Sequence, residues 1–138
     1  MSWQAYVDTN LVGTGNVAQA AICGLEGGVW ASSPGFQLHP SEIREILEGF
    51  KNPDSVRASG LHIGNAKYFV LQADDKIIYI KKGNEGACIA KTGKAFLIGT
   101  YNDKMQPGKC NVVVEGLADY LISVGYVSTL LYLFSYSY

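Results

Sequence analysis

The stretch from Gly60 to Tyr101 constrains the fold most, because it consists of short β-rich runs separated by short turns. The runs are 61–63, 67–73, 76–81, 87–91 and 94–101. The turn signals between them are Gly64-Asn65, Asp74-Asp75, Gly83-Asn84 and Thr92-Gly93. Linkers this short leave no room for a crossover helix, so consecutive runs must be antiparallel neighbours in a β-meander. Several runs are apolar at both alternating sets of positions, which predicts a sheet covered on both faces.

Three helices are predicted around this meander. Ser2 is a suitable N-cap for a helix over 3–10, and Gly13 and Gly15 are expected to stop it. A second helix begins at Pro40 and ends near 52–53, where another proline interrupts the hydrogen-bond ladder. Its apolar residues recur with helical spacing at Ile43, Ile46, Leu47 and Phe50. A third helix runs from Pro107 to about Val124, with Gly125 as its cap.

Two more strands, 17–23 and 28–32, flank the turn Gly24-Leu25-Glu26-Gly27 and predict a hairpin. The length of 138 residues, 48% of them apolar, fits one domain with a real core. The element order predicts an α+β fold. Helices at the two ends of the chain lie side by side on one face of a central antiparallel sheet, and shorter helices cover the other face.

Composition narrows the classes of function. Eleven basic and twelve acidic side chains nearly cancel, so no overall field draws the chain to nucleic acid or to an anionic membrane. Cys23, Cys88 and Cys110 are widely spaced and form no metal-binding motif, so buried free thiols are expected. The amino terminus lacks the basic and apolar regions of a signal peptide, and a reducing cytosol is therefore the expected compartment.

No catalytic pattern emerges from the sequence. The segment 13–15 is Gly-Thr-Gly without the buried strand and third glycine of a dinucleotide loop. The segment 91–94 echoes a phosphate loop, but Cys88 stands where that loop needs a glycine. His39 and His62 are far apart and have no evident nucleophile or paired carboxylates. The chain is therefore expected to be no enzyme and to need no cofactor or metal.

Aromatic residues near the two ends of the chain are the most unusual feature. They are Trp3, Tyr6, Trp30, Tyr120 and Tyr126. Core packing explains one or two of them, but a tryptophan in the first helical turn at a chain end is hard to bury completely. An exposed aromatic groove is the alternative, and such grooves bind proline-rich peptides in the polyproline II conformation.

Lysines form a second candidate cluster on the meander and near the last helix. They are Lys76, Lys81, Lys82, Lys91, Lys94, Lys104 and Lys109. A solvated sheet edge explains them most simply. The alternative is one basic patch that contacts an acidic protein surface or phosphoinositide headgroups.

The last twelve residues, 127–138, carry no charged side chain and are strongly apolar or aromatic. Twelve residues are too few to span a bilayer. A packed segment, an interfacial anchor, an aggregation-prone strand and an irregular extension of the reading frame remain as alternatives. We treat 127–138 as an extension of unknown role that follows a domain over 1–126.

Several blocks of the sequence resemble protist and fungal profilins, in order, over residues 1–126. They are Met1-Ser2-Trp3-Gln4-Ala5-Tyr6-Val7-Asp8, Arg57-Ala58-Ser59-Gly60, Ala73-Asp74-Asp75, Ile78-Tyr79-Ile80-Lys81-Lys82-Gly83, Gln106-Pro107-Gly108 and Leu117-Ala118-Asp119-Tyr120-Leu121-Ile122. The resemblance implies a profilin-like fold. It also implies a monomeric, cytoplasmic and cytoskeletal protein that binds monomeric actin, proline-rich proteins such as formins, and phosphatidylinositol bisphosphate.

The resemblance also implies three sets of site residues. The proline-rich peptide groove would be lined by Trp3, Tyr6, Trp30, Tyr120, Leu121 and Tyr126. The actin surface would contain Val70, Gln72, Lys81, Lys82, Lys91, Gly108, Asn111 and Val112. Phosphoinositides would bind an overlapping basic surface at Lys81, Lys82, Lys91 and Lys94.

The expected function is regulation of actin polymerisation, and the alternative is a mainly phosphoinositide-binding signalling module with weak actin binding. Residues after Tyr126 would lie where they could fill or block the peptide groove.

Overall fold

Seven antiparallel strands form one sheet, into which the N-terminal hairpin and the meander are joined. The structure, a computed structural model, describes residues 2–135, and side chains over residues 2–125. The strands are β1 (Ala20–Gly24), β2 (Val29–Ser32), β3 (Leu61–Ile63), β4 (Ala66–Ala73), β5 (Ile77–Lys82), β6 (Glu85–Lys91) and β7 (Ala95–Tyr101). Their order is β2-β1-β7-β6-β5-β4-β3. The pairing of β1 with β7 connects the hairpin to the meander, and the predicted α+β fold is confirmed.

Helices cover both faces of this sheet. They are α1 (Trp3–Ala5), α2 (Pro40–Lys51), α3 (Pro53–Ser59) and α4 (Pro107–Ser135). A π-helix (Tyr6–Leu11) and a 3₁₀ turn (Val12–Thr14) continue α1, and we call these three pieces together the N-terminal helical segment. The Ser2 hydroxyl accepts a hydrogen bond from the Ala5 amide at 3.1 Å, as an N-cap does. Gly15 ends the segment with a left-handed φ of 80°.

Two helix predictions need correction. Pro53 ends α2 as expected, but it also occupies the first position of α3, which the sequence reasoning missed. The prediction that Gly125 caps the last helix is wrong, because α4 continues to Ser135. A glycine stops a helix when it adopts a left-handed conformation, and Gly125 is not among the glycines with positive φ. Within residues 2–135, no helix is long and apolar enough to cross a membrane.

Two hydrophobic clusters lie on opposite faces of the sheet, as the doubly apolar strands predicted. One packs α2 and α3, through residues such as Ile46, against strand residues such as Ile89. The other packs the N-terminal helical segment and α4 against Leu97 and its neighbours. We call these the α2 face and the α4 face.

The three cysteines are buried free thiols, as predicted, and burial raises their pKa, to about 12 for Cys23 and Cys110.

A buried carboxylate holds the turn between β3 and β4 to the start of α2. Glu42 Oε1 accepts hydrogen bonds from the His39 and Gly64 amides, each at 3.0 Å, and Oε2 accepts one from the Asn65 amide at 2.8 Å. Gly64 and Asn65 have φ values of 58° and 67°, as a tight two-residue turn between antiparallel strands needs. Because three amides depend on one side chain, Glu42 acts as the anchor for this part of the α2 face.

We expect Glu42→Gln to lower the free energy of unfolding by about 2 kcal/mol. The glutamine NH₂ group would face a backbone N–H, which cannot accept a hydrogen bond, and the hydrogen bonds to the remaining side-chain oxygen would no longer involve a charged acceptor. Urea denaturation followed by circular dichroism measures this change. Glu48→Gln is the matched control, since Glu48 is exposed on the same helix, and it should change stability by less than about 0.5 kcal/mol. Equal stabilities of the two variants would show that Glu42 is not an anchor.

Candidate binding surfaces

Four aromatic rings form a continuous row on the outside of the α4 face. The Trp3 ring centroid lies 4.9 Å from that of Trp30 and 5.7 Å from that of Tyr6. The Tyr6 ring lies 6.5 Å from that of Tyr120. All three pairs are tilted, as aromatic pairs prefer. We call this row, with the adjacent Leu121, the aromatic surface.

The aromatic surface is assembled from three elements that are distant in sequence. Trp3 and Tyr6 come from the N-terminal helical segment, Trp30 from β2 and Tyr120 from α4. The side-chain amide of Gln4 donates to the Ser32 carbonyl at 2.9 Å and so ties the segment to β2. Residues from both ends of the chain thus meet because the two terminal helices pack side by side on the sheet.

The aromatic surface is only partly buried. Trp3 and Tyr120 are 40% and 52% exposed, while Tyr6 and Trp30 pack with one side against the core of the α4 face. The pKa of Tyr6 is raised by burial and by the neighbouring Tyr120 hydroxyl. Leu121 packs against the same core beside the rings. The side chain of Tyr126 lies outside the described residues.

A second surface lies where α4 leaves β4 and β5 uncovered. Phe69 and Leu71 on β4 are 68% and 62% exposed, and Val112 on α4 is 72% exposed. Lys81 on β5 lies directly opposite Phe69. We call this area, with Gln72, Gly108 and Asn111, the sheet-helix surface. The sequence reasoning missed Phe69 and Leu71. The run 68–71 is apolar throughout, so the sequence does not show which of its side chains face the core and which face solvent.

A β-bulge decides which residues of β4 belong to the sheet-helix surface. The register pairs Val70 with Ile80 and then Gln72 with Tyr79, so Leu71 is the extra residue. Side chains opposite each other on antiparallel strands lie on the same face. Gln72 therefore returns to the face of Tyr79, whereas Val70 packs against the core of the α2 face.

One hydrogen bond joins the strand half and the helix half of the sheet-helix surface. The Tyr79 hydroxyl donates to Glu115 Oε2 at 2.6 Å. Burial and this carboxylate raise the pKa of Tyr79 well above its usual value, so the hydroxyl keeps its proton at neutral pH. Glu115 follows Asn111 and Val112 by one helical turn, and all three thus lie on the same side of α4.

The lysines predicted to share one patch are separated by the register of the sheet. Lys81 and Lys82 are neighbours on β5, so their side chains point to opposite faces. Lys91 lies opposite Phe96, a residue of the α2 face. Lys81 pairs with Gly86, and Lys91 is five residues further along β6, which at ~3.3 Å per residue separates them by roughly 17 Å. Lys94 follows Lys91 beyond that far end, so the expectation of one basic patch is not met.

Comparison with known proteins identifies the family. The family model described as Profilin matches residues 1–126. Profilin-1A of Acanthamoeba castellanii is 53% identical over 126 residues, which are 91% of this chain and 100% of that protein. Profilin-A of Physarum polycephalum is 52% identical over the same length.

Solved structures show the same similarity in three dimensions. Acanthamoeba castellanii profilin IB superposes with a TM-score of 0.88 at 53% identity, covering 90% of this chain and 99% of that one. Mouse profilin IIa, solved in complex with a double repeat from the FH1 domain of mDia1, superposes with a TM-score of 0.76 at 25% identity, covering 91% and 99%. The sequence blocks, the sheet order and these comparisons agree, and the chain therefore belongs to the profilin family.

Proposed function

We propose that this chain is a cytoplasmic adaptor that regulates actin polymerisation by binding monomeric actin and proline-rich segments of other proteins at the same time. The aromatic surface binds the proline-rich segment, and the sheet-helix surface binds actin. The observation that carries the proposal is the row of four partly exposed rings, which core packing alone does not require.

The aromatic surface has the chemistry that a polyproline II peptide needs. Such a peptide is already extended, so it loses little conformational entropy on binding, and its proline rings stack on aromatic side chains. Its backbone carbonyls need donors. Trp3 Nε1 has no hydrogen-bond partner among the described residues and is available to donate to such a carbonyl. The mouse profilin structure with an FH1 repeat supports a ligand of this class.

The sheet-helix surface has the composition of a protein-binding surface. Its most exposed large side chains are apolar, namely Phe69, Leu71 and Val112, and Lys81 opposite Phe69 supplies a positive charge. Exposed apolar groups of this size on a small domain mark interaction sites. Membership of the profilin family makes monomeric actin the partner we propose for this surface.

Phosphoinositide binding is the alternative that we rank below actin binding. The Lys91 amide donates a hydrogen bond to the Lys76 carbonyl at 2.8 Å, so the backbones of these two lysines are neighbours, and Lys94 follows three residues later. A headgroup bound there would lie far from Lys81. Phosphoinositides would then overlap the actin surface less than the family resemblance implies.

We expect Trp3→Ala to weaken binding of a proline decamer by at least ~30-fold, because it removes the ring that contacts both Trp30 and Tyr6. Isothermal titration calorimetry measures this affinity. Phe69→Ala is the control on the other surface, and it should change the proline affinity by less than ~2-fold. If the two substitutions weaken proline binding equally, the aromatic surface is not the site.

We expect Lys81→Glu to weaken actin binding by at least ~10-fold, because it places a negative charge beside Phe69 in the sheet-helix surface. Lys82→Glu introduces the same charge on the neighbouring residue, whose side chain lies on the opposite face, and it should weaken binding by less than ~2-fold. Inhibition of actin pelleting measures both affinities. Equal effects of the two reversals would contradict the assignment of the actin surface to this face.

A further inference from the structure

Acidic and basic side chains are segregated along the chain. All eleven lysines and arginines lie between Arg44 and Lys109. The segments 1–38 and 110–138 contain no lysine, arginine or histidine, and their charged side chains are Asp8, Glu26, Glu115 and Asp119. These two segments supply every residue of the aromatic surface. The segments 1–38 and 110–138 thus carry only negative side chains, although the whole chain is nearly neutral. Two basic residues adjoin them: Lys109 in the first turn of α4, and Lys94, whose carbonyl accepts a hydrogen bond from the Leu25 amide at 3.0 Å.

Glu26 is the carboxylate that the structure places directly against the rings. Trp30 Nε1 donates to Glu26 Oε1 at 3.2 Å, and the Trp30 ring is in contact with Trp3. Glycine is needed for this placement, because a Cβ at Gly24 would overlap both carboxylate oxygens. The turn between β1 and β2 therefore folds the Glu26 side chain towards the aromatic surface.

The Glu26 charge is available to a ligand. Among the described residues, no basic side chain lies within 4 Å of its carboxylate, and Glu26 is exposed. Two other carboxylates lie further along the row. Asp8 accepts a hydrogen bond from Gln4, the residue next to Trp3, at 3.0 Å, and the exposed Asp119 precedes Tyr120. Negative charge is thus present near both ends of the row of rings.

The length of the row indicates which part of a peptide meets these charges. The three centroid distances limit the row to roughly 17 Å. A polyproline II helix rises ~3.1 Å per residue, so five or six prolines cover the rings. Residues that flank such a run would lie beyond Trp30 at one end and beyond Tyr120 at the other. Glu26 is hydrogen-bonded to Trp30 at the first end, and the exposed Asp119 precedes Tyr120 at the second.

We propose that the aromatic surface selects proline-rich segments flanked by lysine or arginine over segments flanked by aspartate or glutamate, with Glu26 as the main determinant. The inference rests on the proposed function of the aromatic surface. The rings form the site, and the carboxylates select among its ligands. Exposed charge pairs contribute little one at a time and are screened by salt, so the preference is moderate and depends on ionic strength.

Three capped peptides with the same run of six prolines test this inference on the full chain by isothermal titration calorimetry. Two lysines, two serines or two glutamates flank the run on each side. At 20 mM salt the lysine peptide should bind about 10-fold more tightly than the glutamate peptide, and at 500 mM salt the ratio should fall below ~2. Equal affinities at 20 mM salt, with the serine peptide still bound, would overturn the selectivity and leave the proposed function standing. No binding of the serine peptide would overturn both.

Glu26→Gln tests the assigned determinant, because the glutamine carbonyl can still accept the Trp30 hydrogen bond while the charge is lost. The lysine-to-glutamate affinity ratio at 20 mM salt should fall at least ~3-fold. Glu48→Gln is the control, since Glu48 is exposed on α2 across the sheet, and it should leave the ratio unchanged. Asp119→Asn should lower the ratio by a smaller factor. Equal reductions by Glu26→Gln and Glu48→Gln would show a diffuse effect of net charge and overturn the role of Glu26.

Discussion

The side-by-side packing of the N-terminal helical segment and α4 on one face of the sheet is the interaction on which both surfaces depend. Val7 and Leu11 from the segment and Val114 from α4 are fully buried there against strand residues such as Leu97. Burial of this kind stabilises by roughly 1.5–3 kcal/mol per large apolar side chain, so neither helix can leave without a large loss. The rest of the surface chemistry follows from where these two helices lie.

This packing creates the aromatic surface and the sheet-helix surface on different sides of α4. Tyr120 meets the N-terminal helical segment through Tyr6, whereas Glu115 meets β5 through Tyr79. Because the helices cover the β1, β7 and β6 part of the α4 face, the outer part of β4 keeps Phe69 exposed. One helix thus carries residues of both surfaces without bringing them together.

The sequence predicted the elements well where local signals are strong. Short turns required the meander, Pro40 and Pro107 marked two helix starts, and aromatics at the chain ends indicated a shared surface once the terminal helices were expected to be neighbours. The predicted end of the last helix at Gly125 was wrong, because a glycine ends a helix only when its backbone adopts a left-handed conformation. Gly125 does not, and α4 continues through it.

The sequence could not predict features that depend on strand register. The bulge at Leu71 moves Gln72 to the face of Tyr79, and no residue in this strand predicts a bulge from the sequence. Adjacent lysines such as Lys81 and Lys82 form one charge cluster in the sequence. In a β-strand, however, successive side chains point to opposite faces of the sheet, so the two lysines lie on different faces. The Glu26 carboxylate beside Trp30 depends on the shape of a glycine-rich turn, so only the structure connects it with the aromatic surface.

The central claim is that the two surfaces bind their partners independently. The most direct measurement is the affinity of the full chain for a proline decamer, by calorimetry, without actin and with monomeric actin at saturating concentration. Separate surfaces predict dissociation constants that agree within about 2-fold, and a ternary complex that sediments as one species. Loss of decamer binding in the presence of actin would contradict the account, because it would place both ligands on one surface.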